Sequence, residues 1–126
     1  MAPFGCLLIV QVLLPEFLFL CFAMGDDVSE VTWAHAVNSR HMLETELAGA
    51  VDFLEADVSM GHVMGQEFGP PIPIMAHPPN TTSDLSLDTW LDIVIARRTG
   101  KGVKLDFKSI ETLKPSMKLL ESHAQK

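Results

Sequence analysis

Cysteine is scarce in this sequence, and neither of the two cysteines lies where it could hold a folded domain together. Cys6 and Cys21 both fall within the first 25 residues, and the 101 residues that follow contain none. Small exported domains that cannot build a large core usually depend on disulfides. The sequence therefore excludes a disulfide-stapled mini-domain, even in an oxidising compartment.

Positive charge is also in short supply. The chain has 9 lysines and arginines against 16 aspartates and glutamates, which gives a formal net charge of −7 at pH 7. Proteins that bind nucleic acid usually carry basic patches that neutralise phosphates. Arg97, Arg98 and Lys101 form one basic cluster, which we interpret as a solvated helix end. The composition argues against a nucleic-acid partner.

A long apolar run opens the chain. Almost every residue from Phe4 to Met24 is apolar, and Ala23 and Gly25 have the small-residue spacing that signal peptidase accepts. We predict a signal peptide over residues 1–25 and one domain over residues 26–126. The alternative is an uncleaved signal anchor, because no lysine or arginine precedes the run and its length approaches the ~20 residues that span a bilayer. The domain is expected to be secreted, or anchored to a membrane and exposed outside the cytoplasm.

Beyond residue 25 the pattern alternates between strands and helices, which predicts an α/β fold with a parallel sheet. The first helix is expected to bury Leu43, Leu47, Ala50 and Val51, which recur at helical spacing. Residues 61–73 contain three glycines and three prolines and are expected to form a loop. The expected strands are Val31–His35, Phe53–Val58, Ile74–His77 and Gly102–Phe107, and the expected helices begin at Asn38 or Ser39, at Ser86 and near Pro115.

The second expected strand carries a pair of carboxylates. Side chains alternate faces along a strand, so Glu55 and Asp57 point one way while Leu54, Ala56 and Val58 point the other. The apolar residues are expected to pack under the helices. The two carboxylates are then about 6.6 Å apart along the strand, and they repel each other unless a cation or a proton relieves them. Hard divalent ions prefer oxygen ligands and suit such a pair.

Two further features indicate that functional side chains meet at the ends of the expected strands. Lys104, Asp106 and Lys108 share one face of the last strand, and charges of both signs are unusual on a buried strand unless that face lines a site. His35 and His77 each end an expected strand, which is the position where barrel enzymes carry their active residues. The sequence therefore predicts that these groups converge.

Four segments resemble the signature of menorin-family domains: Trp33–Ser39, Leu54–Val58, Pro73–Pro79 and Lys101–Lys108. That family is similar to the glycerophosphodiester phosphodiesterase and sphingomyelinase-D-like barrels. The resemblance implies a partial (β/α) TIM-barrel-like domain with roughly the first three to four strands and two to three helices. A complete barrel of this kind takes about 250 residues.

The resemblance also implies roles for individual residues. Glu55, Asp57 and Asp106 match the ligands of a Mg²⁺ or Ca²⁺ ion. The residues that match the acid and base histidines and the lysine that neutralises the phosphate are His35, His77 and Lys108. The implied substrate is a phosphodiester or a lipid head group.

Two functional hypotheses follow from how this chain departs from the phosphodiesterases. Those enzymes usually show His-Arg-Gly on the first strand and His-Asp at the second histidine, whereas this chain has His35-Ala36-Val37 and His77-Pro78. The missing arginine favours a non-catalytic extracellular scaffold or adhesion protein that binds cell-surface proteins, as the resemblance to menorins of neuronal patterning and cell maintenance implies. The intact carboxylate set favours a metal-dependent phosphodiesterase.

One modification site is expected if the chain is exported. Asn80, Thr81 and Thr82 form an N-x-T acceptor in a proline-rich loop. We therefore expect Asn80 to carry an N-linked glycan.

Overall fold

A computed structural model describes the backbone of residues 8–12 and the whole of residues 30–125. These residues form an α/β fold with a mixed sheet and three helices. The strands are β1 (Leu8–Val12), β2 (Trp33–Ala34), β3 (Phe53–Val63), β4 (Ile72–Met75), β5 (Thr82–Ser83) and β6 (Gly102–Phe107). The helices are α1 (Arg40–Ala48), α2 (Leu87–Arg97) and α3 (Ile110–Ala124).

The sheet is organised around β3, the longest strand. The first half of β3 has two parallel neighbours, because residues 53–54 pair with β2 and residues 53–58 pair with residues 102–107 of β6. The second half pairs antiparallel with β4 and, at its end, parallel with the short strand β5. The outer edge of β6 pairs in parallel with β1. Phe53, Leu54 and Val58 therefore each have a paired strand on both sides.

One face of the sheet forms the core under the helices. Leu54, Ala56 and Val58 of β3 are fully buried, and so are Leu105 and Phe107 of β6. The helices cover them with Leu43, Leu47, Leu87, Trp90, Leu91, Val94 and Leu120. Each large side chain buried in this way contributes about 1.5–3 kcal/mol. The predicted alternation along β3 is confirmed, and the charged side chains lie on the face away from this core.

Serine caps set the starts of α1 and α2, as predicted. The Ser39 hydroxyl accepts a hydrogen bond from the Met42 N–H at 3.2 Å, and the Ser86 hydroxyl accepts one from the Thr89 N–H at 3.1 Å. Each bond satisfies a backbone donor that the first turn of a helix leaves without a partner. Because Ser39 is the cap of α1, Asn38 is available for another role.

Several predicted boundaries are wrong. Helix α1 ends at Ala48 with Gly49 as its C-cap, so Ala50 and Val51 lie beyond it. Helix α3 begins after Ser109, five residues earlier than predicted from the proline, and Pro115 lies inside it. Strand β2 is also shorter than the expected Val31–His35.

The expected loop over residues 61–73 begins later than predicted, because β3 continues to Val63. A Cβ added to Gly61 would lie 2.2 Å from the Thr81 carbonyl oxygen. Glycine is needed here because another segment of backbone comes close to the strand, and not because the chain turns.

The expectation of an all-parallel sheet is also wrong, because β4 runs antiparallel to β3. Residues 64–71 join the two strands without a helix. A parallel crossover needs a dozen or more residues, so this short connection returns the chain antiparallel.

Most of the predicted signal peptide over residues 1–25 lies outside the described residues. The part that is described, Leu8–Val12, forms β1 and pairs with residues 103–107 of β6. None of the helices in the described part of the chain has the length and apolar character needed to cross a membrane.

Candidate functional site

The register of β3 with β6 brings three carboxylates together. Asp57 pairs directly with Asp106 across the two strands, and Glu55 lies two residues earlier on the same face of β3. One oxygen from each of the three lies within 4.8 Å of the others. Glu55 and Asp57 are buried and Asp106 is partly buried. The arrangement is a compact set of oxygen ligands on the face opposite the helices.

The Lys108 ammonium lies between two of these carboxylates. Its Nζ atom is 2.8 Å from Asp57 Oδ1 and 2.7 Å from Asp106 Oδ2. The lysine side chain is 11% exposed and the Asp57 side chain 6% exposed, so water screens the pair poorly. Lys108 follows Asp106 by two residues and therefore shares its face of the strand. The lysine ammonium therefore relieves repulsion between the two aspartates.

The segment after β2 fixes the orientation of the β3 carboxylates. The Asn38 side-chain amide donates to Asp57 Oδ2 at 2.9 Å, and its carbonyl accepts from the Asp57 backbone N–H, also at 2.9 Å. The Ala36 N–H donates to Glu55 Oε2 at 2.8 Å. Ala36 has a φ of +54°, a left-handed conformation that is uncommon for a residue other than glycine. Sequence reasoning treated Asn38 as a candidate helix cap, and its contact with Asp57 depends on the register of β2 with β3.

Asp106 retains an oxygen that can bind a ligand. Its Oδ1 atom is buried and has no hydrogen-bond partner among the described residues. A buried acceptor without a partner costs about 1–3 kcal/mol. Three clustered carboxylates, one of which carries such an oxygen, fit the ligand chemistry of a hard divalent cation such as Mg²⁺ or Ca²⁺.

The two histidines lie at the rim of this cluster. His35 follows β2, its side chain is 74% exposed, and its Nδ1 atom is 3.7 Å from Glu55 Oε2. His77 is exposed and follows β4. The antiparallel pairing of β4 brings it near the carboxylates, because the neighbouring Ala76 N–H donates to the Asp57 carbonyl oxygen at 3.1 Å.

The contact made by His77 determines which of its ring nitrogens can act as a base. Nδ1 lies 2.7 Å from the Pro78 carbonyl oxygen. A carbonyl oxygen only accepts hydrogen bonds, so Nδ1 carries the proton in this contact. In the neutral ring Nε2 is therefore the nitrogen that can accept a proton.

A small cavity adjoins Lys108. Its volume is about 230 Å³, and its lining includes Ser59, Pro78, Asn80 and Ser109. Pockets that enclose a small molecule usually have volumes of about 300–1,000 Å³. The cavity can accept part of a ligand next to the Lys108 ammonium, but it does not enclose a complete substrate.

Burial and hydrogen bonding act in opposite directions on the two most tightly coupled groups. Burial alone would raise the pKa of Asp57, but hydrogen bonds from Lys108 and Asn38 and the charges of Lys108 and His77 hold that pKa below its usual range. Burial alone would lower the pKa of Lys108, but hydrogen bonds and charge from Asp106 and Asp57 raise it. Both groups are held in their charged forms.

These shifts predict how stability depends on pH. The stabilisation from Asp57 is present above the pKa of an unfolded aspartate, about 3.9, and is lost as the pH falls through the lower folded pKa. The stabilisation from Lys108 is present below the unfolded value of about 10.4 and is lost as the pH rises through the higher folded pKa. We expect the free energy of unfolding, measured by denaturant titration at each pH, to decline at both extremes. In Lys108→Met the alkaline decline should be smaller, and an unchanged decline would contradict this assignment.

A second group of possible ligands was missed by sequence reasoning. Asp88 and Asp92 on α2 lie beside His123 on α3, again with candidate ligand atoms within 4.8 Å of one another. The four-residue spacing of the aspartates is visible in the sequence, but it does not show that α3 packs against α2.

Comparison with known proteins gives the family. The sequence model of the Menorin N-terminal domain matches residues 27–126, which is most of the chain. The chain belongs to the menorin family. A curated relative, Protein FAM151B of Homo sapiens, is 43% identical over 98 residues, which make up 78% of this chain and 34% of the relative. This menorin-family chain thus spans about a third of the length of that relative. No solved structure matches this menorin-family chain.

Proposed function

We propose that this menorin-family chain carries the metal-binding part of a glycerophosphodiester-phosphodiesterase-like site. Its ligands would be Glu55, Asp57 and Asp106, and its ion Mg²⁺ or Ca²⁺. The observation that carries the proposal is the convergence of three carboxylates in which Asp106 Oδ1 is buried and has no hydrogen-bond partner among residues 30–125. The substrate would be a phosphodiester, either a free glycerophosphodiester or a lipid head group.

The other residues would divide the work of phosphodiester cleavage. A divalent cation bound here would polarise the phosphoryl oxygens. His77 presents Nε2 to accept the proton of the water that would attack phosphorus in hydrolysis, because its Nδ1 donates to Pro78. His35, exposed beside Glu55, would donate a proton to the leaving oxygen. Lys108 would neutralise negative charge on the phosphate when its ammonium leaves the space between Asp57 and Asp106.

A barrel-like fold is part of the same proposal. Strands β2, β3 and β6 are parallel neighbours in chain order, and helices α1 and α2 lie in the connections between them. Parallel strands with helical crossovers are the repeating unit of a (β/α) barrel. Strands β3 and β6, which carry the carboxylates, would then be neighbouring strands of the barrel, and β4 and β5 would be an insertion between them in the chain.

A non-catalytic role is the second candidate. The residues after His35 are Ala36 and Val37, so the arginine that grips phosphate in the phosphodiesterases has no counterpart there. The adjoining cavity of about 230 Å³ is also small. In this case the domain would act as an extracellular scaffold or adhesion module that binds cell-surface proteins.

Both candidate functions include export of the domain from the cytoplasm. The apolar first segment supports secretion or membrane anchoring with the domain outside the cytoplasm. Asn80 is exposed in the loop after β4, where a glycosyltransferase could reach it.

Calorimetric titration of the full chain with Mg²⁺ and with Ca²⁺ tests the metal site. We expect one of the two ions to bind and Asp57→Asn to reduce that affinity by at least tenfold, because the substitution removes a charged ligand but keeps the side-chain shape. Glu111→Gln is the matched control, because it removes one negative charge on the exposed surface of α3. Equal affinities in the wild type and Asp57→Asn would refute the site.

Hydrolysis of a glycerophosphodiester then separates the enzyme from the scaffold. The enzyme hypothesis predicts metal-dependent turnover that Glu55→Ala and His77→Ala both abolish. Metal binding without turnover would favour the scaffold, with the ion in a structural role.

A further inference from the structure

A histidine is held between two aspartates where α2 packs against α3. The His123 side chain is 3% exposed, whereas those of Asp88 and Asp92 are 56% and 55% exposed. His123 Nε2 is 2.8 Å from Asp88 Oδ1, and His123 Nδ1 is 3.5 Å from Asp92 Oδ1. The two aspartates are four residues apart and therefore occupy the same side of α2.

The two ring nitrogens of His123 are in different situations. A carboxylate only accepts hydrogen bonds, so Nε2 donates its proton to Asp88. The neutral ring then has a lone pair on Nδ1. That atom is buried and makes no hydrogen bond with the described residues. This lone pair lies 3.5 Å from an Asp92 carboxylate oxygen, which is unfavourable unless a proton or a metal ion lies between the two atoms.

The separation of Nδ1 and the Asp92 oxygen suits a shared metal ion. In a tetrahedral zinc site with bonds of about 2.0–2.2 Å, two ligand atoms lie roughly 3.3–3.5 Å apart. The observed distance is 3.5 Å. A direct hydrogen bond between nitrogen and oxygen is usually shorter, at about 2.7–3.2 Å.

Asp88 completes the arrangement without being a ligand. Histidines that bind metals commonly donate their other ring N–H to a carboxylate, which fixes the ring orientation and makes the ligand nitrogen more basic. The bond from His123 Nε2 to Asp88 has this form.

We propose that His123 Nδ1 and Asp92 bind a Zn²⁺ ion at this helix interface, with Asp88 as the positioning residue. An imidazole ligand selects a transition ion over Mg²⁺ or Ca²⁺, so the chemistry differs from that of the carboxylate cluster on β3 and β6. The ion would link the last turn of α3 to the first half of α2. The proposal does not depend on phosphodiesterase activity.

The test is binding of Zn²⁺ to the full chain, measured by calorimetry, with Co²⁺ absorption as a readout of nitrogen ligation. Asp92→Asn should lower the Zn²⁺ affinity at least tenfold. Asp88→Asn should lower it by about 10–100-fold, the usual effect of removing the carboxylate behind a metal-bound histidine. Glu121→Gln, an exposed position on α3, should leave the Zn²⁺ affinity unchanged, and so should Asp57→Asn in the carboxylate cluster of β3 and β6.

Two results would overturn the proposal. One is Zn²⁺ affinity that is the same in Asp92→Asn and in the wild type. The other is no binding at neutral pH together with thermal stability that depends on pH alone, which would identify His123 as a protonated clamp between the two aspartates. Both aspartates are exposed, so their variants are expected to fold, and circular dichroism of each variant checks this.

Discussion

Lys108→Met should lower the free energy of unfolding of the metal-free protein by roughly 3 kcal/mol. Removing one partner of a buried ion pair leaves the other charge without compensation, which costs about 3–5 kcal/mol when burial is complete. In this chain the substitution leaves two adjacent carboxylates, Asp57 and Asp106, facing each other. We take the lower end of the range because the side chain of Lys108 is 11% exposed.

The same substitution should increase the response to a divalent cation. Because the lysine ammonium and the ion compete for the same oxygens, Ca²⁺ or Mg²⁺ should raise the melting temperature of Lys108→Met more than that of the wild type. Lys118→Met on the exposed surface of α3 is the control, with an expected change within about 0.5 kcal/mol. If the variant is destabilised and divalent ions do not restore it, the carboxylates do not form a cation site.

Trp90→Ala should be the most destabilising single substitution in the core, at about 3–5 kcal/mol. Trp90 is fully buried, and its indole N–H donates to the Val37 carbonyl oxygen at 3.0 Å. The substitution therefore opens a large cavity between α2 and the sheet and also removes a partner of the segment that carries His35 and Asn38. Urea or guanidinium denaturation measures the loss.

Trp90→Phe separates the two contributions. It keeps most of the apolar volume but leaves the buried Val37 carbonyl oxygen without this donor, so the expected loss is about 1–3 kcal/mol. The Val37 carbonyl oxygen lies next to Asn38, whose side chain hydrogen-bonds to the Asp57 carboxylate. We therefore also expect Trp90→Phe to bind divalent cations more weakly. Equal stabilities for Trp90→Phe and the wild type would show that the hydrogen bond contributes nothing.

Periodicity predicted the parts of the fold that depend on local sequence. The alternation around Glu55 and Asp57 placed both carboxylates on the correct face of β3, and the serine caps placed the starts of α1 and α2. These features follow from the rotation per residue of a strand or helix and from short-range hydrogen bonds.

The features that were missed depend on contacts between distant segments. Gly61 was assigned to a loop because glycine often marks a turn, whereas Thr81 approaches it within the fold. Asn38 was one of two candidate caps for α1, whereas its side-chain amide donates a hydrogen bond to Asp57, 19 residues later in the chain. Pro115 lies inside α3 because packing on the sheet outweighs the backbone hydrogen bond that proline cannot make.

Asp57 and Asp106 are far apart in the sequence and come together only when β3 pairs with β6. Parallel pairing of β3 with β6 closes a long loop, and such pairings form slowly because the entropy of closure is lost before the contacts are gained. Until β6 docks, Asp57 is hydrated and has no carboxylate opposite it. The strand that brings Asp106 also brings Lys108, two residues later on the same face. Asp57 and Asp106 therefore do not have to face each other at any stage of folding without the Lys108 ammonium between them.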